Sequence, residues 1–143
     1  MGTMFSYRIK SKFDLIQSVE KSILQQATQA GFNDDTCFAL RLAMDEAMIN
    51  AIIHGNQYQE EKEISVTAKI EDDKIWVSVE DEGPGFDLTQ LVDPREEPFL
   101  HKTNGRGVFL IKQFTSDVYF NETGNQITFI VDQNNPAPIL QMG

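Results

Sequence analysis

The stretch from Asn33 to His54 constrains the fold more than any other segment, because it is apolar on almost every side when it is read as a helix. Asn33 and Asp34 are good N-caps, and Gly55 and Asn56 are stop signals at the other end. A helix without a polar face has to be covered by other elements, so we predict a long, largely buried central helix. Its apolar residues are Phe38, Ala39, Leu40, Leu42, Ala43, Met44, Ala47, Met48, Ile49, Ala51, Ile52 and Ile53.

Two polar side chains interrupt the apolar surface of this helix. Glu46 and Asn50 are four residues apart and therefore share one side of it. Burying such groups without partners costs on the order of several kcal/mol, so they form either an internal hydrogen-bonded pair or a site. Spacing alone leaves both interpretations open. Arg41 and Asp45 share another side, where a solvated ion pair is a sufficient explanation.

The rest of the chain predicts an α+β protein. Strands and helices alternate without the regular repeat of a parallel sheet, which indicates a two-layer sandwich with a mixed, mostly antiparallel sheet and helices on one face. The predicted elements are a strand over 7–12, a helix over 14–31, the central helix, strands over 63–71 and 74–81, a helix over 105–114, and strands over 117–122 and 126–132.

Length and charge limit the classes of function. A chain of 143 residues fits a single domain over 1–143, with its core at about 5–132 and a frayed tail at 133–143. The formal net charge of −10 disfavours binding to nucleic acid or to an anionic membrane. The single Cys37 allows no internal disulfide, and no export signal or membrane-spanning stretch is recognisable. These features favour the cytoplasm.

A turn with two glycines follows the strand that ends at Asp81. Gly83 and Gly85 let the backbone turn sharply or approach a ligand closely. An acidic turn without a ligand is the simpler alternative. The stretch from Gly83 to Asn104 is too long for an ordinary connection, so we expect a lid or a binding segment there.

A second glycine segment lies directly before the predicted helix over 105–114. Free backbone amides, the helix dipole and the cations Lys102 and Arg106 would together attract an anion such as phosphate. A plain loop is the alternative, and the segment fits neither the P-loop nor the dinucleotide-binding pattern. It comprises Thr103, Asn104, Gly105, Arg106, Gly107 and Val108.

In this order and at these separations, the three segments resemble the nucleotide site of the GHKL ATPase superfamily, which has the Bergerat fold. Residues 45–56 look like its N box, 81–85 like its first glycine box and 105–108 like its second, and the resemblance covers roughly residues 5–132. The N box ends in His54, Gly55 and Asn56, and no phosphoacceptor hairpin is present. The sequence is therefore most similar to the anti-sigma-factor serine/threonine kinases.

The resemblance implies a role for each matched residue. Glu46 would be the catalytic base, Asn50 would bind Mg²⁺, and Asp81 would bind the adenine amino group with help from Thr128. Residues 88–104 would form the lid. The residues implied in binding ATP are Asn50, His54, Asp81, Gly83, Gly85, Thr103, Asn104, Gly105, Arg106, Gly107, Val108 and Thr128.

The resemblance also implies partners. The protein would bind Mg-ATP, phosphorylate an anti-anti-sigma protein of the STAS type and sequester a sigma factor, without direct contact to nucleic acid or membrane. Such kinases commonly pair through their sheets, which makes a homodimer an expectation. Two alternatives stay open: an ATP-binding partner-switch module without catalysis, and a stand-alone histidine-kinase catalytic domain.

Overall fold

The computed structural model describes residues 2–85 and 110–135. Two long helices and five strands account for most of them, and residues 110–114 are also helical. No helix in the described ranges is both long enough and apolar enough to cross a membrane. The elements are β1 (Thr3–Lys10), α1 (Phe13–Gln29), α2 (Asp34–Asn50), a π-helical turn (Ala51–Gly55), β2 (Glu63–Ile70), β3 (Lys74–Glu80), β4 (Asp117–Phe120) and β5 (Gln126–Asp132).

The five strands form one sheet in the order β1-β2-β3-β5-β4. Every neighbouring pair in the described ranges is antiparallel; Val66 lies opposite Val79, for example, and Val77 opposite Phe129. The predicted α+β class is confirmed. The sheet has no parallel pair within these ranges, although the sequence pattern allowed a mixed one.

The core lies between one face of the sheet and the two long helices. Alternate residues of each central strand are buried, which is the period-two pattern of a sheet with one covered face. The helix α1 packs on β1 and β2, and α2 packs on β3 and β5. The side chains that fill this layer include Ile16, Val19, Ile23, Leu40, Met44, Met48, Ile64, Val66, Ile75, Val77, Ile111 and Phe129.

The central helix α2 begins as predicted. The Asn33 side chain accepts a hydrogen bond from the Thr36 N–H at 2.8 Å, which is the N-cap arrangement. Most of its apolar residues are buried, but Phe38 is 53% exposed and packs edge-on against Phe114. The α-helix ends at Asn50, one turn before the predicted end, because the chain widens there into the π-helical turn.

The predicted ion pair between Arg41 and Asp45 is wrong. Arg8 and Glu63 form the only ion pair in the described ranges, at 4.0 Å on the surface. The Asp45 side chain instead lies close enough to Glu20 of α1 to share a proton with it and to raise its pKa, because α1 packs against α2. Spacing within one helix could not reveal this partner on the other.

Candidate functional site

An open cleft lies between the C-terminal end of α2 and the covered face of the sheet. It encloses about 580 Å³, including space continuous with solvent, and its walls are mostly apolar with a few polar groups. Three separate segments of the sequence supply its walls. The lining residues are Ala47, Asn50, Ala51, His54, Gly55, Val79, Asp81, Gly85, Phe120, Gly124, Asn125, Gln126 and Ile127.

The π-helical turn forms the wall that continues from α2. The Asn56 N–H donates to the Ala51 oxygen at 2.8 Å, five residues back, which makes this turn wider than an α-helical one. Single π-turns of this kind are frequent at functional sites. Here the turn places His54 and Gly55 on the cleft wall while Asn56 points into the protein, where it is completely buried.

His54 presents a buried nitrogen that lacks a partner. Its Nε2 is inaccessible to solvent and makes no hydrogen bond to any described residue. Burial lowers the pKa of His54, so the ring is neutral at pH 7. A neutral imidazole has one donor and one acceptor nitrogen, and the inaccessible Nε2 would have to be uncovered before it could contact a ligand in the cleft.

Asp81 lies half-buried just after β3. Burial raises the pKa of its carboxyl group, the neighbouring Glu80 adds to the rise, and the Gly83 N–H and the Lys62 charge oppose it. Gly83 donates its N–H to Asp81 Oδ1 at 2.8 Å. One carboxylate oxygen is therefore fixed by the turn itself, and no hydrogen bond from a described residue to the second oxygen is found.

Close contacts leave no room for a side chain at Gly55, Gly83 and Gly85. A side chain on Gly55 would overlap the Asp81 carboxyl group, and one on Gly83 would overlap the Gly55 oxygen. Gly85 has a φ of +81° and lies against the Thr123 oxygen, where a side chain would also collide. The close approaches at these glycines are to other segments of the protein, and the predicted approach to a ligand stays a prediction.

Asn50 and Glu46 are both on the last turns of α2, but only Asn50 lines the cleft. Glu46 lies one turn earlier and is half-buried. Burial raises the pKa of Glu46, and the negative charge of Asp45 raises it further. A carboxylate with a raised pKa is a stronger base, which is the property that proton abstraction from a hydroxyl needs.

Thr128 does not belong to this cleft. Side chains alternate along β5, and Ile127 and Phe129 point into the covered core, so Thr128 points to the opposite face of the sheet. There it hydrogen-bonds Ser78 at 2.8 Å, beside a separate groove that includes Trp76. The assignment of Thr128 to the adenine site is therefore corrected.

Asn125, and not the predicted Thr128, is the residue of this segment that contacts Asp81. The Asp81 N–H donates to the Asn125 oxygen at 2.9 Å, and Asn125 Nδ2 donates to the Asp81 oxygen at 3.3 Å. The turn that carries Asn125 is held by Asn121, whose Oδ1 accepts the N–H groups of Gly124 and Asn125 at 2.8 and 3.1 Å. The sequence pattern identified only a turn here, and its density of asparagines was the one available signal.

The phosphate side of the predicted site lies outside the described residues. The predicted lid over 88–104 falls there, as does the second glycine segment with Thr103, Asn104, Gly105, Arg106, Gly107 and Val108. Of the predicted site residues, Asn50, His54, Asp81 and Gly85 line the cleft, and Gly83 bonds Asp81 without lining it. The mostly apolar walls of the cleft carry an amide, an imidazole and a carboxyl group, which is the usual composition of a small-molecule site.

Comparisons with known proteins point to one family. The model of the histidine kinase-like ATPase domain matches residues 10–131, which include every residue of the cleft. The chain is 31% identical over 133 residues to the serine-protein kinase RsbW of Listeria innocua, covering 85% of each chain. It is 27% identical over 120 residues to the RsbW of Oceanobacillus iheyensis, covering 80% of this chain and 76% of that one. It is 28% identical over 100 residues to the anti-sigma F factor of Bacillus subtilis, covering 67% of each.

Proposed function

This chain belongs to the histidine kinase-like ATPase domain family, and from that membership we propose that it is an ATP-dependent serine/threonine kinase that also restrains a sigma factor. The names of its relatives, serine-protein kinase and anti-sigma F factor, support both activities. The observation that carries the proposal is the convergence of Asn50, His54 and Asp81 on one cleft with close glycine contacts.

Asp81 would select adenine. Its free carboxylate oxygen can accept a hydrogen bond from the exocyclic amino group, whereas guanine presents a carbonyl oxygen at that position and would be repelled. Asn125, which bonds the Asp81 backbone, would support this contact in place of Thr128. The apolar surfaces of Val79 and Ile127 would cover the faces of the base.

Asn50 would hold the metal ion through its side-chain oxygen, because Mg²⁺ prefers oxygen ligands and keeps several waters. Bound Mg²⁺ would neutralise charge on the phosphate oxygens. The backbone amides of Gly105 and Gly107 and the side chain of Arg106 would bind the phosphates, as their segment predicts. These cations and amides would offset the repulsion between a polyanionic ligand and a chain of net charge −10.

Glu46 would accept the proton of the serine or threonine hydroxyl that attacks the γ-phosphoryl group. Its raised pKa, caused by burial and by Asp45, makes it a better proton acceptor than an exposed carboxylate. Phosphoryl transfer otherwise depends on positioning and charge neutralisation, which the remaining residues would supply.

The partners are part of the same proposal. The phosphorylated protein would be an anti-anti-sigma protein of the STAS type, and the competing partner would be a sigma factor in the cytoplasm. The acidic surface of this chain suits a basic patch on a partner. We also propose that the protein is a single domain and forms a homodimer.

The test is phosphate transfer to a candidate STAS protein from labelled Mg-ATP. We expect an acid-stable phosphoprotein with the wild type and none with Glu46→Gln, while calorimetry shows that the variant still binds ATP. Glu122→Gln, on an exposed turn, is the matched control and should transfer normally.

Three results would change the proposal. Full transfer by Glu46→Gln would remove Glu46 from the role of base. An acid-labile product would indicate phosphohistidine and hence a histidine kinase. ATP binding by the wild type without transfer to any STAS protein would indicate a partner-switch module without catalysis.

A further inference from the structure

We infer that Asn56 is a positioning residue for nucleotide selection, an inference that rests on the proposed function. Asn56 lies immediately after the π-helical turn and is completely buried, at 0% exposure. Its position after Gly55 suggested only the end of a helix. A buried amide needs partners for both of its ends, and the partners of Asn56 lie in three different segments.

Both ends of the Asn56 amide are satisfied by hydrogen bonds. Nδ2 donates to Ser11 Oγ at 2.7 Å and to the Glu63 oxygen at 3.1 Å. Oδ1 accepts the Glu82 N–H at 2.8 Å. An asparagine side chain is the only one of its size with donors on one branch and an acceptor on the other, so no isosteric residue reproduces this set.

The donor side of Asn56 is attached to a rigid part of the fold. Ser11 is itself buried, and both its N–H and its hydroxyl donate to the Lys62 oxygen, at 3.1 and 2.7 Å. Glu63 begins β2, which is paired on both sides by β1 and β3. The amide of Asn56 is therefore fixed by the junction between β1 and α1 and by the start of β2.

The acceptor side of Asn56 reaches the turn that carries Asp81. The peptide group between Asp81 and Glu82 is held at both edges, because its N–H donates to Asn56 and its C=O accepts from Asn125. This peptide group is directly attached to the Asp81 α-carbon. The preceding peptide group is also held, because the Asp81 N–H donates to the Asn125 oxygen. With both flanking peptide groups fixed, the direction in which the Asp81 side chain leaves the backbone is fixed as well.

A positioning role and a purely structural role differ in what they predict. Any buried hydrogen-bonded asparagine contributes to stability, so loss of stability alone does not distinguish them. Only a positioning role predicts that ATP binding and the preference for ATP over GTP fall together in protein that is still folded. The Asp81 carboxylate reads the base only if its direction is held.

The experiment compares ATP and GTP binding by calorimetry in the wild type, Asn56→Ala and Thr115→Val at a temperature where all three are folded. Asn56→Ala should weaken ATP binding by about tenfold and reduce the preference for ATP. Hydrogen exchange of the Glu82 amide should become faster in the same variant. Thr115→Val is the matched control, because it removes a buried side-chain hydrogen bond, from Thr115 Oγ1 to the Ile111 oxygen at 2.8 Å, that involves neither Asn56 nor the turn of Asp81. It should lower the melting temperature and leave nucleotide preference unchanged.

If Asn56→Ala does not fold, a second pair of variants tests the same hydrogen bond at its donor, the backbone N–H of the exposed Glu82. Glu82→Pro lacks the N–H that Asn56 accepts, and Glu82→Ala keeps it. The proline variant should lose ATP preference and the alanine variant should keep it.

The outcomes separate the two hypotheses. An unchanged preference for ATP in Asn56→Ala, or in Glu82→Pro, would overturn the positioning role. If the wild type binds ATP in the same experiment, the proposed function is unaffected by that result. A wild type that binds neither nucleotide would overturn the proposed function and this inference with it.

Discussion

The carboxyl pair between the two long helices should make the stability of this protein fall as the pH rises. Glu20 is 6% exposed, and its Oε2 has no hydrogen-bond partner among the described residues. Burial raises the pKa of Glu20 to about 8, with the hydrogen bond and the charge of Asp45 adding to the rise and Arg41 opposing it. At neutral pH the folded protein therefore keeps a proton on this pair that the unfolded chain releases.

The sign and size of the effect follow from proton linkage. Glu20 has its ordinary pKa of 4.5 in the unfolded chain and a pKa of about 8 in the folded protein. The stability that the bound proton contributes is therefore fully present below pH 4.5 and is lost as the pH rises through 8. Between these limits the free energy of unfolding should fall by roughly 1 kcal/mol for each pH unit. From pH 4.5 to 7 the loss is on the order of 3 kcal/mol, a large part of the stability of a domain this size.

Glu20→Gln removes the titration and keeps a donor for Asp45. We expect the wild type and the variant to have similar stability near pH 5, with the variant more stable by several kcal/mol near pH 8. Urea unfolding at a series of pH values measures this, and the difference between the two proteins removes the contribution of all other titrating groups. Glu122→Gln, which is exposed, should follow the wild type. A constant difference between wild type and Glu20→Gln across this pH range would refute the shared proton.

Two further predictions concern the cleft. Asp81→Asn should weaken ATP binding by tenfold or more, about 1.4 kcal/mol, because the amide offers a donor where the adenine amino group needs an acceptor; equal ATP affinities by calorimetry would exclude the adenine contact. Thr128→Val should leave the ATP affinity unchanged, because its hydroxyl bonds Ser78 on the opposite face of the sheet; a loss comparable to that of Asp81→Asn would return Thr128 to the site.

The sequence predicted the fold well because its strongest signals are periodic. The strands β2, β3 and β5 alternate between buried and less buried residues, and their limits agree with the predicted ones within one residue. The first strand was predicted less well, since β1 begins at Thr3, four residues before the predicted start, and ends at Lys10, two residues before the predicted end. The N-cap at Asn33 and the buried surface of α2 were readable for the same reason. These features depend on local geometry alone.

The site was predicted only in part, and each failure has a physical cause. Thr128 was assigned by its position in a motif, although the alternation of Ile127 and Phe129 already places it on the other face. The partners of Glu20 and Asn56 lie far away in sequence, and no local pattern specifies which residues tertiary packing brings together. The sequence predicts a continuing α-helix through Ala51–Gly55, because no local signal in its composition distinguishes a π-helical turn from an α-helical one.

The π-helical turn makes chain length, as well as residue type, a requirement of this segment. Its hydrogen bond from the Asn56 N–H to the Ala51 oxygen spans five residues where an α-helical bond spans four, so the turn holds one extra residue. Removing one residue from Ala51–Gly55 would let the chain continue as an α-helix, without the local widening that places His54 and Gly55 on the cleft wall. The extra residue therefore shapes this wall, and a deletion would alter it even if every remaining side chain were kept.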